Sequence, residues 1–135
     1  TCALPICFPE IRLELEQHLQ LTGDRGALVT LLSNLIENAA KYSPEKTPVI
    51  VSAGLHPEGT FLRIADTGIG IKDEEKSKIF QKFYRSGNEE TRSTKGTGLG
   101  LYLVKYIVEE HHARIKVSDN QPRGTIFEVV FRKSS

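Results

Sequence analysis

Apolar and charged positions alternate along residues 10–16, Glu-Ile-Arg-Leu-Glu-Leu-Glu. This period of two is that of a half-buried β-strand. His18-Leu19-Gln20-Leu21 continues briefly in the same manner and predicts a second short strand that runs into a turn at Thr22-Gly23-Asp24. The rhythm then changes. Leu28, Leu31, Leu32, Leu35 and Ala39 occupy the i, i+3, i+4, i+7 and i+11 positions of one helix face. They predict a helix from about 24 to 43, with Asp24 as its N-cap and Ser43-Pro44 as its stop. Residues 48–54 and 60–66 are rich in β-formers and flank His56-Pro57-Glu58-Gly59, which predicts a hairpin. Residues 71–95 are polar, with short helical turns at best, and a loop of that length in a compact domain is usually functional. A second long helix is expected over 98–112, then strands at 114–119 and 124–131 around a turn holding Pro122 and Gly124. This order predicts an α+β fold: a two-layer sandwich with a mixed sheet of about five strands and helices on one face.

The first helix carries a second pattern. With about 100° per residue and Leu28 at zero, Asn34 falls near 240°, Asn38 near 280° and Lys41 near 220°. The three share a strip roughly 60° wide, away from the leucines. Two carboxamides and an ammonium suit an oxygen-seeking cation with its phosphates, and equally a solvated polar face. Asn is a weak helix former, so a pair one turn apart in mid-helix calls for a reason beyond solubility. Glu37, near 180°, lies outside the strip.

Two glycine clusters follow. Asp66-Thr67-Gly68-Ile69-Gly70 ends a predicted strand, where a carboxylate can accept a hydrogen bond from an exocyclic amine; the same residues also make an ordinary turn. Gly96-Thr97-Gly98-Leu99-Gly100 opens the second helix and would present backbone N–H groups to an anion. Its GxGxG spacing, preceded by a polar loop, matches neither the dinucleotide fingerprint nor a P-loop. Between the clusters, Ile79-Phe80-Gln81-Lys82-Phe83-Tyr84-Arg85 is an aromatic and basic island; Phe80 and Phe83 suit anchoring a loop to the core, and Lys82 or Arg85 a phosphate contact.

Composition narrows the field. The chain has 135 residues with a net charge of +1, enough for one core and too neutral to attract nucleic acid or anionic membrane generally. No apolar run approaches the roughly 18 residues of a spanning helix. Cys2 and Cys7 have no further ligands nearby for zinc and read as reduced thiols of a cytoplasmic protein. The absence of Met suggests a piece of a longer protein, with residues 1–9 as a connector and 10–135 as a single domain.

Together these segments resemble the motifs of sensor histidine kinases. Asn34-Leu-Ile-Glu-Asn38-Ala-Ala-Lys41-Tyr42 is similar to their N box, Asp66-Thr-Gly68-Ile-Gly70 to their first glycine box, Phe80 to Arg85 to their F box, and Gly96-Thr-Gly98-Leu-Gly100-Leu101 to their second glycine box. Order and spacing match from about 12 to 131. The resemblance implies the Bergerat-type ATP-binding fold shared with DNA gyrase, HSP90, MutL and the anti-sigma-factor kinases, with the polar stretch at about 71–95 as an ATP lid that Gly96, Gly98 and Gly100 would hinge against the phosphates. It implies ATP and Mg²⁺ as cofactors, Asn38 as metal ligand, and Asn34 and Lys41 as catalytic residues. It implies that Asn34, Asn38, Lys41, Tyr42, Asp66, Gly68, Gly70, Ile71, Phe83, Arg85, Gly96, Thr97, Gly98, Leu99, Gly100, Leu101 and Thr125 contact the nucleotide. In that set Asp66 would accept from the adenine amine, Gly68 and Gly70 would give the nucleotide room, and the Thr125 hydroxyl would support Asp66.

Asn34 separates subfamilies. The ATPases and anti-sigma kinases of this fold usually carry a glutamate there, and a carboxamide cannot act as a general base. The nucleophile must then be activated elsewhere. His18, His56, His111 and His112 do not lie in the long amphipathic helix, followed by an acid, that a phosphoacceptor requires. The expected partners are therefore the dimerisation and phosphoacceptor domain of the same kinase and a response regulator receiver domain, with the parent possibly membrane-anchored and the isolated domain a monomer. A serine kinase or ATPase of the same fold and a non-catalytic nucleotide-sensing module are the competing readings.

Overall fold

The computed structural model describes residues 10–43, 47–82, 84 and 99–133. The connector at 1–9 and the expected site residues Phe83, Arg85, Gly96, Thr97 and Gly98 lie outside the described residues.

Strand β1 (Ile11–Leu15) is followed by helix α1 (Arg25–Tyr42). The Asp24 carboxylate accepts from the Gly26 amide at 3.1 Å and caps the helix as its sequence predicts. Ser43 adopts extended dihedrals (φ −86, ψ 138), the region to which a following proline restricts its neighbour. The expected strand at 18–21 does not form. His18 has φ 61, a left-handed conformation that turns the chain out of any extended run.

Strands β2 (Val49–His56) and β3 (Gly59–Ala65) form the hairpin, closed by Pro57-Glu58. A single helical turn, α2 (Asp73–Lys76), opens the polar stretch. Helix α3 (Gly100–Glu110) leads into β4 (Arg114–Asp119) and β5 (Thr125–Arg132). The sheet order is β1-β2-β3-β5-β4. β1 pairs with β2 in parallel and the other neighbours are antiparallel. A parallel pair requires a crossover connection, and α1 supplies it.

Both long helices pack on one face. Leu31, Leu35 and Ala39 from α1 and Val104, Ile107 and Val108 from α3 meet Val49, Val51, Ile64, Phe127, Val129 and Phe131 from the sheet. On the opposite face the register places Ser52 beside Arg63, Arg63 beside Glu128 and Glu128 beside Lys116, and Arg63 pairs with Glu128. The fold is the predicted two-layer α+β sandwich with a mixed five-stranded sheet. Among the described residues no helix is long and apolar enough to cross a membrane.

Candidate functional site

Asn34, on the polar strip of α1, faces the start of α3. Asn34 Nδ2 donates to the Thr30 carbonyl at 3.0 Å. Only the amide NH₂ can donate to a carbonyl, so this bond directs Oδ1 outward. A Cβ added at Gly100 would sit 3.3 Å from that oxygen, so the first residue of α3 and the Asn34 carboxamide are neighbours. Asn38, Lys41 and Tyr42 are half-buried on the same helix, whereas Glu37 is exposed, as its helical angle predicts. The Lys41 ammonium lies 5.6 Å from the Tyr42 ring centroid, within cation–π range.

The C-terminal end of this strip meets the loop that follows β3. At Gly68 an added Cβ would lie 2.1 Å from the Tyr42 carbonyl oxygen. The space expected to be left for a ligand is therefore taken by helix backbone, and this close approach is what requires glycine at 68. Gly70 differs: its φ of +80 favours glycine, while a Cβ there would find only the Gly124 carbonyl at 3.6 Å.

Asp66 sits at the base of the loop, 3% exposed. Its Oδ1 accepts from the Gly68 amide at 2.8 Å and from the Thr125 amide at 3.2 Å. Burial raises the carboxyl pKa above the ordinary aspartate range, and the two backbone donors offset part of the rise. Thr125 thus contributes its backbone N–H to Asp66 rather than the expected hydroxyl, and it also accepts from the Asp66 amide at 2.9 Å. Next to it, the buried Thr67 Oγ1 has no hydrogen-bond partner among the described residues. A buried hydroxyl in that state is exceptional in a folded protein.

Three residues outside the expected nucleotide-contact set brace this loop. Asn120 Nδ2 donates to the Asp66 carbonyl at 2.8 Å and Arg123 Nε to the Gly68 carbonyl at 2.9 Å. Gly124 approaches so closely that a Cβ would lie 2.0 Å from the Asp66 carbonyl oxygen. The turn between β4 and β5 is therefore clamped onto the loop. Its Pro-Arg-Gly signature announces a turn, but nothing in it announces a contact more than 50 residues away. An open cleft of about 780 Å³ runs beside the clamp, bordered by Gly70, Ile71, Lys72, Glu75, Asn120 and Arg123.

The described part of the aromatic island anchors as expected. Phe80 stands edge-on to Phe127, with ring centroids 6.3 Å apart. The Tyr84 hydroxyl donates to Glu75; this bond, together with burial, pushes the phenol up to about 12. Lys82 turns its ammonium toward the Tyr102 ring at 5.9 Å. Ile71 and Leu101 pack against the core, and Leu99 precedes α3, its carbonyl accepting from Leu103 at 2.8 Å.

Among the described residues no three His, Cys, Asp or Glu side chains converge on a metal. The oxygen donors on the strip are carboxamides, which suit Mg²⁺ arriving with a phosphate chain better than a closed protein cage. The site thus combines a buried carboxylate held by backbone amides, a carboxamide strip, and the first residue of a helix beside it.

Residues 23–135 match the family model described as histidine kinase-, DNA gyrase B-, and HSP90-like ATPase. The sensor protein CiaH of Streptococcus pneumoniae is 40% identical over 118 residues, covering 87% of this chain and 27% of that protein. The sensor-like histidine kinase SenX3 of Mycobacterium tuberculosis is 35% identical over 118 residues, covering 87% of this chain and 29% of its own length. The chain thus spans somewhat over a quarter of these relatives. Among solved structures, the mycobacterial sensor histidine kinase MprB superposes with a TM-score of 0.78 at 32% identity, covering 92% of this chain and 81% of that one. The catalytic domain of histidine kinase ThkA superposes with a TM-score of 0.79 at 26% identity, covering 94% and 82%. With the buried aspartate, the carboxamide strip and the helix start assembled on the same sandwich, the chain belongs to the family of histidine kinase-, DNA gyrase B-, and HSP90-like ATPases.

Proposed function

We propose that this chain is the ATP-binding catalytic domain of a two-component sensor histidine kinase, which positions ATP–Mg²⁺ for transfer of the γ-phosphoryl group to a histidine on a separate dimerisation domain. The observation that carries the reading is Asp66: buried, raised in pKa, and with both of its backbone donors on Oδ1. Such a carboxylate has its other oxygen to offer to a single amine, which is how a purine amine is read. Asn38 would hold Mg²⁺ through its carboxamide oxygen, with Asn34 beside it and Lys41 adding positive charge near the phosphates. Gly100 and the glycines before it would present backbone N–H groups to the phosphate chain.

ATP would supply the phosphoryl group, and Mg²⁺ held at Asn38 would offset its charge; this chain fixes the geometry. The bond from the β–γ bridging oxygen to phosphorus breaks, a nitrogen–phosphorus bond forms on the acceptor imidazole, and ADP leaves with the electron pair. The imidazole proton passes to a base outside this chain, because Asn34 cannot take it and Glu37 is exposed away from the strip. A response regulator receiver domain would then take the phosphoryl group. The reading places the domain in the cytoplasm, with residues 1–9 as connector to the acceptor domain.

Calorimetric titration with a non-hydrolysable ATP analogue, with and without Mg²⁺, tests the site. Mixing the chain with ATP and a compatible dimerisation domain, then looking for acid-labile, base-stable phosphate, tests the transfer. Absence of binding at millimolar nucleotide would defeat both halves. Binding without transfer would leave a nucleotide-sensing module.

A further inference from the structure

The edge of the sheet at β1 is unlike the rest of the surface. On the helix side of the sheet Ile11, Leu13 and Leu15 continue the row that includes Val49 and Val51. Yet they are 42%, 65% and 58% exposed, because α1 packs further along the sheet and leaves β1 uncovered. The outer edge of the strand's backbone is equally uncommitted among the described residues. Val49 N donates to Glu10 O at 2.8 Å and Glu16 N donates to Ala53 O at 3.1 Å, so the even-numbered residues turn their peptide groups toward β2. Peptide groups alternate sides along a strand, so Ile11, Leu13 and Leu15 point their N–H and C=O groups to the open edge.

We propose that this edge pairs with the β1 edge of a second copy of the chain, antiparallel and centred on Leu13, to join two sheets into one. The sequence of the strand is self-complementary in that register. Leu13 faces Leu13, Ile11 faces Leu15, and Arg12 faces Glu14 twice, once on each side of the two-fold axis. The outward peptide groups fall on the hydrogen-bonded pairs, and the Arg–Glu pairs fall on the closer, non-hydrogen-bonded positions where cross-strand side chains interact best. Slipping by two residues in one direction sets Arg12 against Arg12, and in the other it sets Glu14 against Glu14 and leaves only three residues of each strand paired. Opposite charges therefore select the register that uses all five residues of the strand. The outermost pair, Glu10 with Glu16, is unfavourable, but Glu16 already accepts from the Leu55 amide at 3.3 Å, and Arg12, whose Nε lies 2.6 Å from Glu10, has further N–H groups to share with Glu14 of the second copy. Natural sheets usually blunt such an edge with charges that repel a copy of themselves. Here the two charges attract one. The pairing departs from the monomer expected of the isolated domain.

Sedimentation equilibrium of the 135-residue chain under thiol reductant, from micromolar to millimolar concentration, tests this. The average mass is expected to climb from 15.1 kDa toward twice that value. Arg12→Glu and Glu14→Arg should each hold it at the monomer, since each turns both cross-strand pairs into like charges. The double variant Arg12→Glu/Glu14→Arg should restore association to within about threefold of the parent, as a double-mutant cycle requires of directly coupled residues. Circular dichroism checks that each variant is folded. A monomer at every concentration overturns the proposal. So does a dimer indifferent to the single reversals, or a double reversal that fails to recover.

Discussion

Replacing Asp66 with asparagine separates what the residue does for the fold from what it would do for a ligand. An asparagine Oδ1 can accept from the Gly68 and Thr125 amides at the observed 2.8 and 3.2 Å, so neither buried donor is orphaned. The carboxylate itself is a liability at neutral pH. Its folded pKa is raised by burial above the unfolded value, so the native state binds the proton more tightly than the unfolded chain does. Stability therefore falls as pH rises from the unfolded aspartate value through the raised native one, and neutral pH lies on the costly side. Asp66→Asn should leave the melting temperature at pH 7 equal to or above that of the parent, with the difference vanishing below about pH 4. Binding should move the other way. The charge-assisted bond to a ligand amine, about 2 kcal/mol, is lost, and an amide N–H facing that amine costs about 1 kcal/mol more. The sum, about 3 kcal/mol, is a roughly 100-fold loss of affinity for an ATP analogue. Asp66→Ala is the control: two buried N–H groups lose their acceptor, and about 2–3 kcal/mol of stability should go with them, roughly 10 °C in melting temperature for a domain of this size. Thermal scans and calorimetric titration on the three proteins suffice. An asparagine variant that melts well below the parent, or that binds ATP as tightly, would refute the reasoning.

Gly68→Ala should cost about 3 kcal/mol in denaturant unfolding, because its Cβ would meet the Tyr42 carbonyl at 2.1 Å and backbone cannot move aside as a side chain does. Arg123→Ala should weaken nucleotide binding by about fivefold while shifting the melting temperature by only a few degrees, since it removes about 1 kcal/mol of bracing from the loop and exposes no core; calorimetry on the parent, Arg123→Ala and Arg123→Lys reads this, with lysine recovering part of the loss. In an ultraviolet titration Tyr84→Phe should abolish the phenol that ionises at about 12. Because that pKa is raised in the native state, the stability Tyr84 contributes is complete below its unfolded pKa and disappears as pH climbs through the native one, so parent and variant should converge in strong alkali.

The first helix was fully legible: five apolar residues at helical spacing and a capping aspartate admit few alternatives, and Asp24 caps it as expected. The strand pairs were legible for the same reason of period. The false strand at 18–21 shows the limit of that signal. Four alternating residues are too few to outweigh one left-handed residue, and nothing about a histidine announces φ 61. Strand β1 is exposed along its length, where its alternation predicts a half-buried strand. Alternation marks which face of a strand is apolar, but whether a helix covers that face depends on where α1 crosses the sheet, and Leu13 lies beyond its reach. In the site, Asn34, Lys41 and Asp66 were recognisable because their chemistry is unusual for their positions. Asn120 and Arg123 were not, since an ordinary turn would contain the same residues.

The site is built largely from backbone atoms, and this decides which of its parts leave a mark on the sequence. The loop after β3 is held by the Thr125 amide and carbonyl, by the Tyr42 carbonyl packed on Gly68, and by the Gly124 backbone packed on the Asp66 carbonyl. Contacts of this kind accept many side chains at the contributing residue, so Thr125 and Tyr42 could serve equally well through peptide groups that every residue carries. They forbid a Cβ, however, wherever two backbones touch. Gly68 and Gly124 are therefore informative for what they lack, and both lie against Asp66: the Gly68 amide donates to its carboxylate and Gly124 packs on its carbonyl. A substitution map of the loop should follow the same division: near-uniform intolerance at 68 and 124, a narrow choice of oxygen acceptors at 66, and at 125 tolerance of buried side chains near threonine in size, since the amide rather than the hydroxyl carries the bond.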